Sequence, residues 1–402
     1  MKRTVFIVIG VVLIIILVAI WIWVLFFGTP KNVDEVFGDL SIGDTTDTSI
    51  INEEPTLDNE PTVNVSTSKR LRQLTTKPII GYREVMKNAS STPVVYYIEA
   101  GTGHVFSINL TSGEEERVSA TTFPSSQKGS ITLDGEYVMI QSGSGFSSEY
   151  NIKKLDSASS SDSSVYTITE PIISFKATTD NTFLYAVKTD RSVIGKSFDP
   201  VKQTSKDLFT IPFREAVIDW GKTEKDTHFA YPKASSKLEG FLYEIKGGKV
   251  SRLPIDGFGL SAEGNESGVV FSRQDKERYQ TYLYLHEYND YVEFPITVIP
   301  EKCAFSENTS SLVVCAETPN TYNRETPDTW YSGEVNLSDN LWESKMTEQG
   351  VSSLSNTQSE SGQSLDITNL QFGHDDVNIY FVNKNNQNLW MFERLQPLPE
   401  TE

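Results

Sequence analysis

A chain of 402 residues with a net charge of −19 is long enough to bury a sizeable core, and too acidic to grip nucleic acid, which needs clustered Lys and Arg against its phosphates. The same charge argues against a domain lying flat on anionic lipid. Its two cysteines, Cys303 and Cys315, exclude both a small disulfide scaffold and an amino-terminal lipidation site.

Residues 1–4 carry Lys2 and Arg3 and precede Val5–Phe27, 23 residues without a charge. A run of about 20 apolar residues spans a bilayer as a helix, because a helix satisfies its own backbone hydrogen bonds where lipid offers none. The basic start and the acidic flank beyond Phe27 place the stub in the cytoplasm and everything after the helix outside it. The rival is a cleaved signal peptide. Against it stand a run longer than the usual core of about 7–15 residues, Trp21 and Trp23 at the far interface, and no small-residue cleavage site in Val24–Phe27. The chain thus reads as a single-pass protein of the cell membrane, anchored through 5–27.

Residues 28–68 turn to Thr, Ser, Asp, Glu, Asn and Pro, with one basic residue, Lys31, against nine acidic ones. Such a segment cannot bury enough apolar surface to offset its ordering entropy, so it reads as a disordered acidic linker reaching about 35 Å or more.

Residues 69–402 are the folded part, and they repeat. Each unit has a short apolar strand, a polar turn and a second apolar strand, with anchors at Tyr82, Ile131, Phe175, Trp220, Leu260, Phe305 and Phe372. The separations are 49, 44, 45, 40, 45 and 67. A period near 45 built of β-branched and aromatic strands marks four-stranded propeller blades. Blade five is read with Gly257–Leu260 as its inner strand. Third strands are visible at 103–108, 240–245, 281–285 and 388–392, and fourth strands at 116–119 and 249–253. The last unit shows only three strands, whereas Leu71–Thr75 stands unpaired ahead of the first. The fold predicted is therefore an all-β, seven-bladed β-propeller in which this early strand supplies the outer edge of the last blade. Six or eight blades and a two-sheet sandwich are the rivals.

The strand and Asp-Gly-turn pattern resembles TolB-type and WD-repeat-like propellers. Leu71–Thr75, Thr102-Gly103-His104, Thr121–Pro124, Pro300–Cys303 and Pro327–Tyr331 are similar to segments of membrane-anchored propellers from candidate-phyla (Patescibacteria) bacteria, although Phe305 stands where Trp is usual. The resemblance implies the fold and the tether, and no activity.

Cys303 and Cys315 fall on the first two strands of blade six and face each other across a hairpin centred near Thr309, which outside the cytoplasm favours a disulfide; two free cysteines in the core is the rival. No motif for phosphate, zinc, calcium or a nucleophilic serine is present. His104, His228, His286 and His374 lie in four different units and read as turn or surface residues, so neither a metal nor another cofactor is expected. Asp375-Asp376 reads as a solvated pair, and no catalytic residue is assigned.

The long sixth gap holds Glu317–Gly333 between the second and third strands of blade six, and the Ser- and Gln-rich stretch Thr347–Ser364 before blade seven. Both open on one face of a propeller, where inserted loops on a rigid scaffold gather binding residues. Tyr322, Trp330, Tyr331 and Trp342 are the candidate binding residues, being of the type enriched at recognition hot spots; packing of the insertion onto its own blade is the rival. The function expected is a non-catalytic binding or scaffold module for a protein or cell-envelope polymer. A glycan-processing hydrolase or lyase, with carboxylates at the channel mouth, is the alternative.

Overall fold

The computed structural model describes residues 69–85, 93–155, 165–276, 278–319, 321–346 and 350–394. Residues 5–27, read as a membrane helix, and 28–68, read as a linker, lie outside the described residues, among which no helix is long and apolar enough to cross a membrane.

The strands form seven four-stranded antiparallel sheets, the blades of a propeller. Six are meanders in chain order, spanning 79–119, 126–168, 172–211, 217–258, 261–293 and 303–355. The seventh comprises Ile367–Phe372, Asn378–Asn383 and Asn388–Glu393, with Leu71–Gln73 as its outer strand. Leu71 pairs with Phe392, Arg72 with Met391 and Gln73 with Trp390, so the ring closes as the unpaired early strand predicted. Leu71 and Leu74 are buried by this closure.

The sequence pattern follows from where each strand sits. Second strands such as Phe183–Lys188 and Asn378–Asn383 are buried on both faces, because neighbouring blades pack against each other there. They therefore read as continuous apolar runs. Outer strands are more exposed: in Thr204–Ile211 the first four residues face solvent, and only Phe209 and Ile211 are buried. Between blades two and three, Met139, Tyr150, Phe183, Tyr185 and Phe198 form one core cluster; burying each such side chain contributes roughly 2–3 kcal/mol. Close approach matters at one seam. A Cβ on Gly81 would lie 2.2 Å from the Gly129 carbonyl oxygen, so the inner strands of blades one and two meet backbone to backbone.

Two boundaries differ from the sequence reading. The inner strand of blade five is Ser261–Gly264, and Gly257-Phe258 closes the outer strand of blade four, Lys249–Phe258. Gly259, in the left-handed region at φ 65°, makes the turn between them, and Leu260 stays fully buried without being in a strand. Residues 350–355, read as part of an inserted loop, are instead the outer strand of blade six. A serine-rich edge has no hydrophobic signature, and only its pairing with Asn340–Lys345 defines it. Cys303 lies opposite Cys315 in the register of blade six, and the two are disulfide-bonded.

Candidate functional site: the central channel and its rim

Each meander is entered at its innermost strand, so the inner strands all run the same way around the axis. They line a cavity of about 790 Å³ to which every blade contributes. One mouth collects the turns that leave the inner strands. The other collects the connections between blades and between second and third strands.

Three carboxyl groups from consecutive blades stand on one side of this channel. Asp219 and Glu263 are each the third residue of their inner strands, Val217–Asp219 and Ser261–Gly264, and Glu301 lies in the turn before Cys303. The Asp219 carboxyl accepts the Gly264 N–H at 2.7 Å, and the Glu263 carboxyl of the next blade is its acidic neighbour on the channel wall. Burial pushes Asp219 up to about 6, opposed by the Lys176 ammonium. Burial, then the Asp219 charge, holds Glu263 well above the carboxylate range. Glu263 keeps some accessible surface on the cavity, yet the wall around it is dense enough for burial to dominate. Glu301 accepts from the Tyr331 hydroxyl at 2.6 Å and the Tyr231 hydroxyl at 3.0 Å, and burial raises its pKa as well. Asp219 and Glu301 thus have internal partners.

At the mouth formed by the inner-strand turns, Arg83 of blade one lies 3.4 Å from the Glu307 carboxylate of blade six, and Lys222 of blade four donates to the Glu307 carbonyl at 2.6 Å. Three non-adjacent blades are thereby bridged across the opening.

The opposite mouth carries the blade-six insertion, 318–339, with a one-turn helix at Asp328–Tyr331. Its four predicted aromatics are all placed by internal contacts. Trp330 is buried with Tyr279, Ile299 and Leu337, and its Nε1 donates to Asp366 at 3.0 Å. Lys302 and Lys384 place their ammonium groups 5.1 and 4.3 Å from the centroid of the Trp330 ring. Tyr331, half-buried, reaches Glu301. Trp342 is half-buried on the third strand, with Nε1 3.2 Å from Glu317. Tyr322, half-buried, packs its ring 6.0 Å from Tyr279.

The insertion is also tied to its neighbours. Asp328 accepts from the Ser236 N–H of blade four at 2.6 Å, and Gln274 of blade five donates to the Thr326 carbonyl at 2.6 Å. Leu337 N–H donates to Asp366, and Asp339 N–H to the Leu365 carbonyl. The two irregular connections on either side of the outer blade-six strands therefore meet on one face, beside Glu301 and Lys384 of the channel wall.

Several residues of this site carried no sequence signal. Asp219 and Glu263 are separated by one blade period, a relation hidden when blade five is read with its inner strand at Gly257–Leu260. Asp339 and Asp366 lie in irregular segments without a motif. His228 is buried rather than at the surface: it accepts the Gly221 N–H on Nδ1, and burial lowers its pKa to about 4. Asp376 is buried too, accepting from Ser306 at 2.6 Å. Among the described residues, no group of three His, Cys, Asp or Glu is placed to hold a metal ion.

The described residues are thus those of a seven-bladed β-propeller with a loop-built rim at one mouth. No family model matches the sequence, and neither does any curated protein. Among solved structures, the chain is similar to an oligogalacturonate lyase in complex with manganese, at 10% identity and TM-score 0.54, covering 85% of this chain and 96% of that one. It is similar also to the oligogalacturonate lyase of Vibrio parahaemolyticus, at 11% identity and TM-score 0.51, covering 80% and 93%. A third is the Swd1 β-propeller domain of Myceliophteria thermophila, at 10% identity and TM-score 0.50, covering 81% and 100%. At these identities the likeness is one of fold.

Proposed function

We propose that the protein is a membrane-tethered, extracytoplasmic binding module that holds a protein or cell-envelope polymer at the rim of its propeller and carries out no chemistry on it. The observation that carries this reading is the anchoring of the insertion: hydrogen bonds to blades four, five and seven fix it beside the cavity. A rim held in one conformation loses little entropy on binding, which favours recognition. The bridged opposite mouth leaves the rim as the approach, with Tyr322, Tyr331 and Trp342 as its half-buried aromatic contacts. The anchor at 5–27 would hold this surface outside the cytoplasmic membrane.

A second reading rests on Asp219 and Glu263, two neighbouring carboxyls of the channel wall that burial raises. Raised carboxyls in a cavity are the material of general acid catalysis, so a glycan hydrolase or lyase remains the alternative function. Two features favour binding. Asp219 is held by the Gly264 N–H, and Glu301 is taken up by two tyrosines.

The two are separated by a pair of assays on the full chain, one in cells and one on the purified protein. Photo-crosslinking from position 322 in intact cells should yield one discrete adduct, weakened tenfold or more by Trp342→Ala, since rim aromatics often contribute 2 kcal/mol or more to binding. Release of new chain ends from oligogalacturonate or isolated cell-wall polymer, abolished by Glu263→Gln, would replace the binding reading with the catalytic one.

A further inference from the structure

Lys302 is the one lysine with no accessible surface among the described residues, and the carboxyl groups on either side of it, Asp339 and Asp366, are equally buried. Its Nζ lies 2.5 Å from Asp339 Oδ2 and 2.6 Å from Asp366 Oδ1. Three charges held together in a dry interior, with Lys384 as the next cation on the Trp330 ring, are costly to maintain. Amide formation removes one charge of each sign. It needs an amine held against a carboxyl carbon, a second acid to carry protons, and exclusion of water, and all three are present here.

The two carboxyl groups are not equivalent. Asp339 accepts from Thr318 on Oδ1 at 2.6 Å and from the Ile367 N–H on Oδ2 at 2.7 Å, so losing either oxygen would leave a buried donor without a partner. Asp366 differs. Its Oδ2 accepts both the Leu337 N–H and the Trp330 Nε1–H at 3.1 Å, and the Trp330 contact to Oδ1 is the other half of a shared bond. Loss of Oδ1 leaves both donors satisfied on Oδ2. The same two N–H groups would stabilise an oxyanion there during attack.

We infer that Lys302 and Asp366 condense into an intramolecular isopeptide bond, with Asp339 relaying the protons. Asp339 takes one proton from the ammonium and passes it to Asp366 Oδ1, and the freed Nζ lone pair attacks Cγ of the resulting carboxylic acid, placing negative charge on Oδ2. A second proton leaves Nζ as the tetrahedral adduct collapses. The Cγ–Oδ1 bond breaks, and Oδ1 departs with both protons as one water. The amide keeps one N–H, which donates to the regenerated Asp339 carboxylate. Nothing is oxidised or reduced, and no co-reactant is needed. The bond joins residues 64 positions apart, across the seam from blade six to blade seven. Its neighbour in sequence, Cys303, is bonded to Cys315. Two cross-links would then lie side by side under the rim, beneath Trp330.

The test is mass spectrometry on the full chain, reduced and denatured. The wild type should be about 18 Da lighter than its sequence, the mass of one water, and digestion should give a branched peptide joining Lys302 to Asp366. Asp366→Asn should instead lose about 17 Da, as ammonia, Lys302→Met should show its full sequence mass, and Asp339→Asn should be mostly unlinked. A wild-type mass at the sequence value, or a dehydration that fragmentation places away from the Lys302 side chain, overturns the bond. A branch from Lys302 to Asp339 overturns the assignment of roles. The wild-type measurement decides the question even if a variant fails to fold.

Discussion

Leu71 lies directly opposite Phe392 in the last blade, so a strand from the start of the folded region completes a sheet built from its end. The ring is closed by hydrogen bonds between chain ends rather than by continuous chain. Leu74 extends the contact by donating its N–H to the Leu389 carbonyl at 2.8 Å. Opening this seam would expose the edge of the Asn388–Glu393 strand, together with apolar surface around it.

Deleting residues 70–76 should therefore unfold or aggregate the domain, although no whole blade is removed. Thermal melting with size-exclusion chromatography checks this. A truncated protein that stays monomeric and melts like the full chain would mean the seam contributes nothing.

The raised carboxyls of Asp219 and Glu263 make stability depend on pH in an unusual direction. A carboxyl whose folded pKa is raised binds its proton more tightly when folded, so its contribution is present at low pH and lost as pH rises. For Asp219 the loss runs from its ordinary 3.8 through about 6, and amounts to roughly 3 kcal/mol at most. Glu263, Lys176 and the Gly264 N–H are the groups that face it. Asp219→Asn should match wild type near pH 4 and exceed it in denaturant unfolding at pH 8. An equal difference at both pH values would show that no proton is held there.

Trp330 is a core residue of the rim, and truncation should be felt as stability. Trp330→Ala should cost about 3 kcal/mol or more, as large-to-small core changes do. Trp330→Phe should cost about 1–3 kcal/mol, because Asp366 loses a buried donor while most of the packing survives. Chemical denaturation gives both numbers. Unchanged midpoints, with partner capture lost, would instead assign Trp330 to direct contact.

The tether is tested in cells. If Val5–Phe27 is the anchor proposed, with its basic stub inside and its acidic flank outside, protease added to intact cells or spheroplasts should release a fragment beginning between residues 28 and 68. Complete protection of the domain would reverse that orientation.

The all-β class, seven as the favoured blade count, the closure by the early strand at Leu71 and the facing of Cys303 and Cys315 were legible in the chain alone. These follow from short-range regularities: second strands buried on both faces stand out as apolar runs at a period near 45, and opposed positions in a hairpin are fixed by counting. Where the pattern thins, boundaries slipped. The outer strand Gly350–Ser355 is serine-rich and defined only by its partner, and the inner strand of blade five is displaced by the turn at Gly259. What surrounds the channel was set by the folding of the ring. Asp219, Glu263 and Glu301 come from three blades, and Lys302, Asp339 and Asp366 from three segments of no repeating pattern. Their pairing depends on the curvature of the ring and on how the irregular segments fold over its mouth. Composition placed Trp330 among exposed hot-spot residues, since an aromatic in a polar loop looks the same whether it faces solvent or, as here, a buried carboxylate.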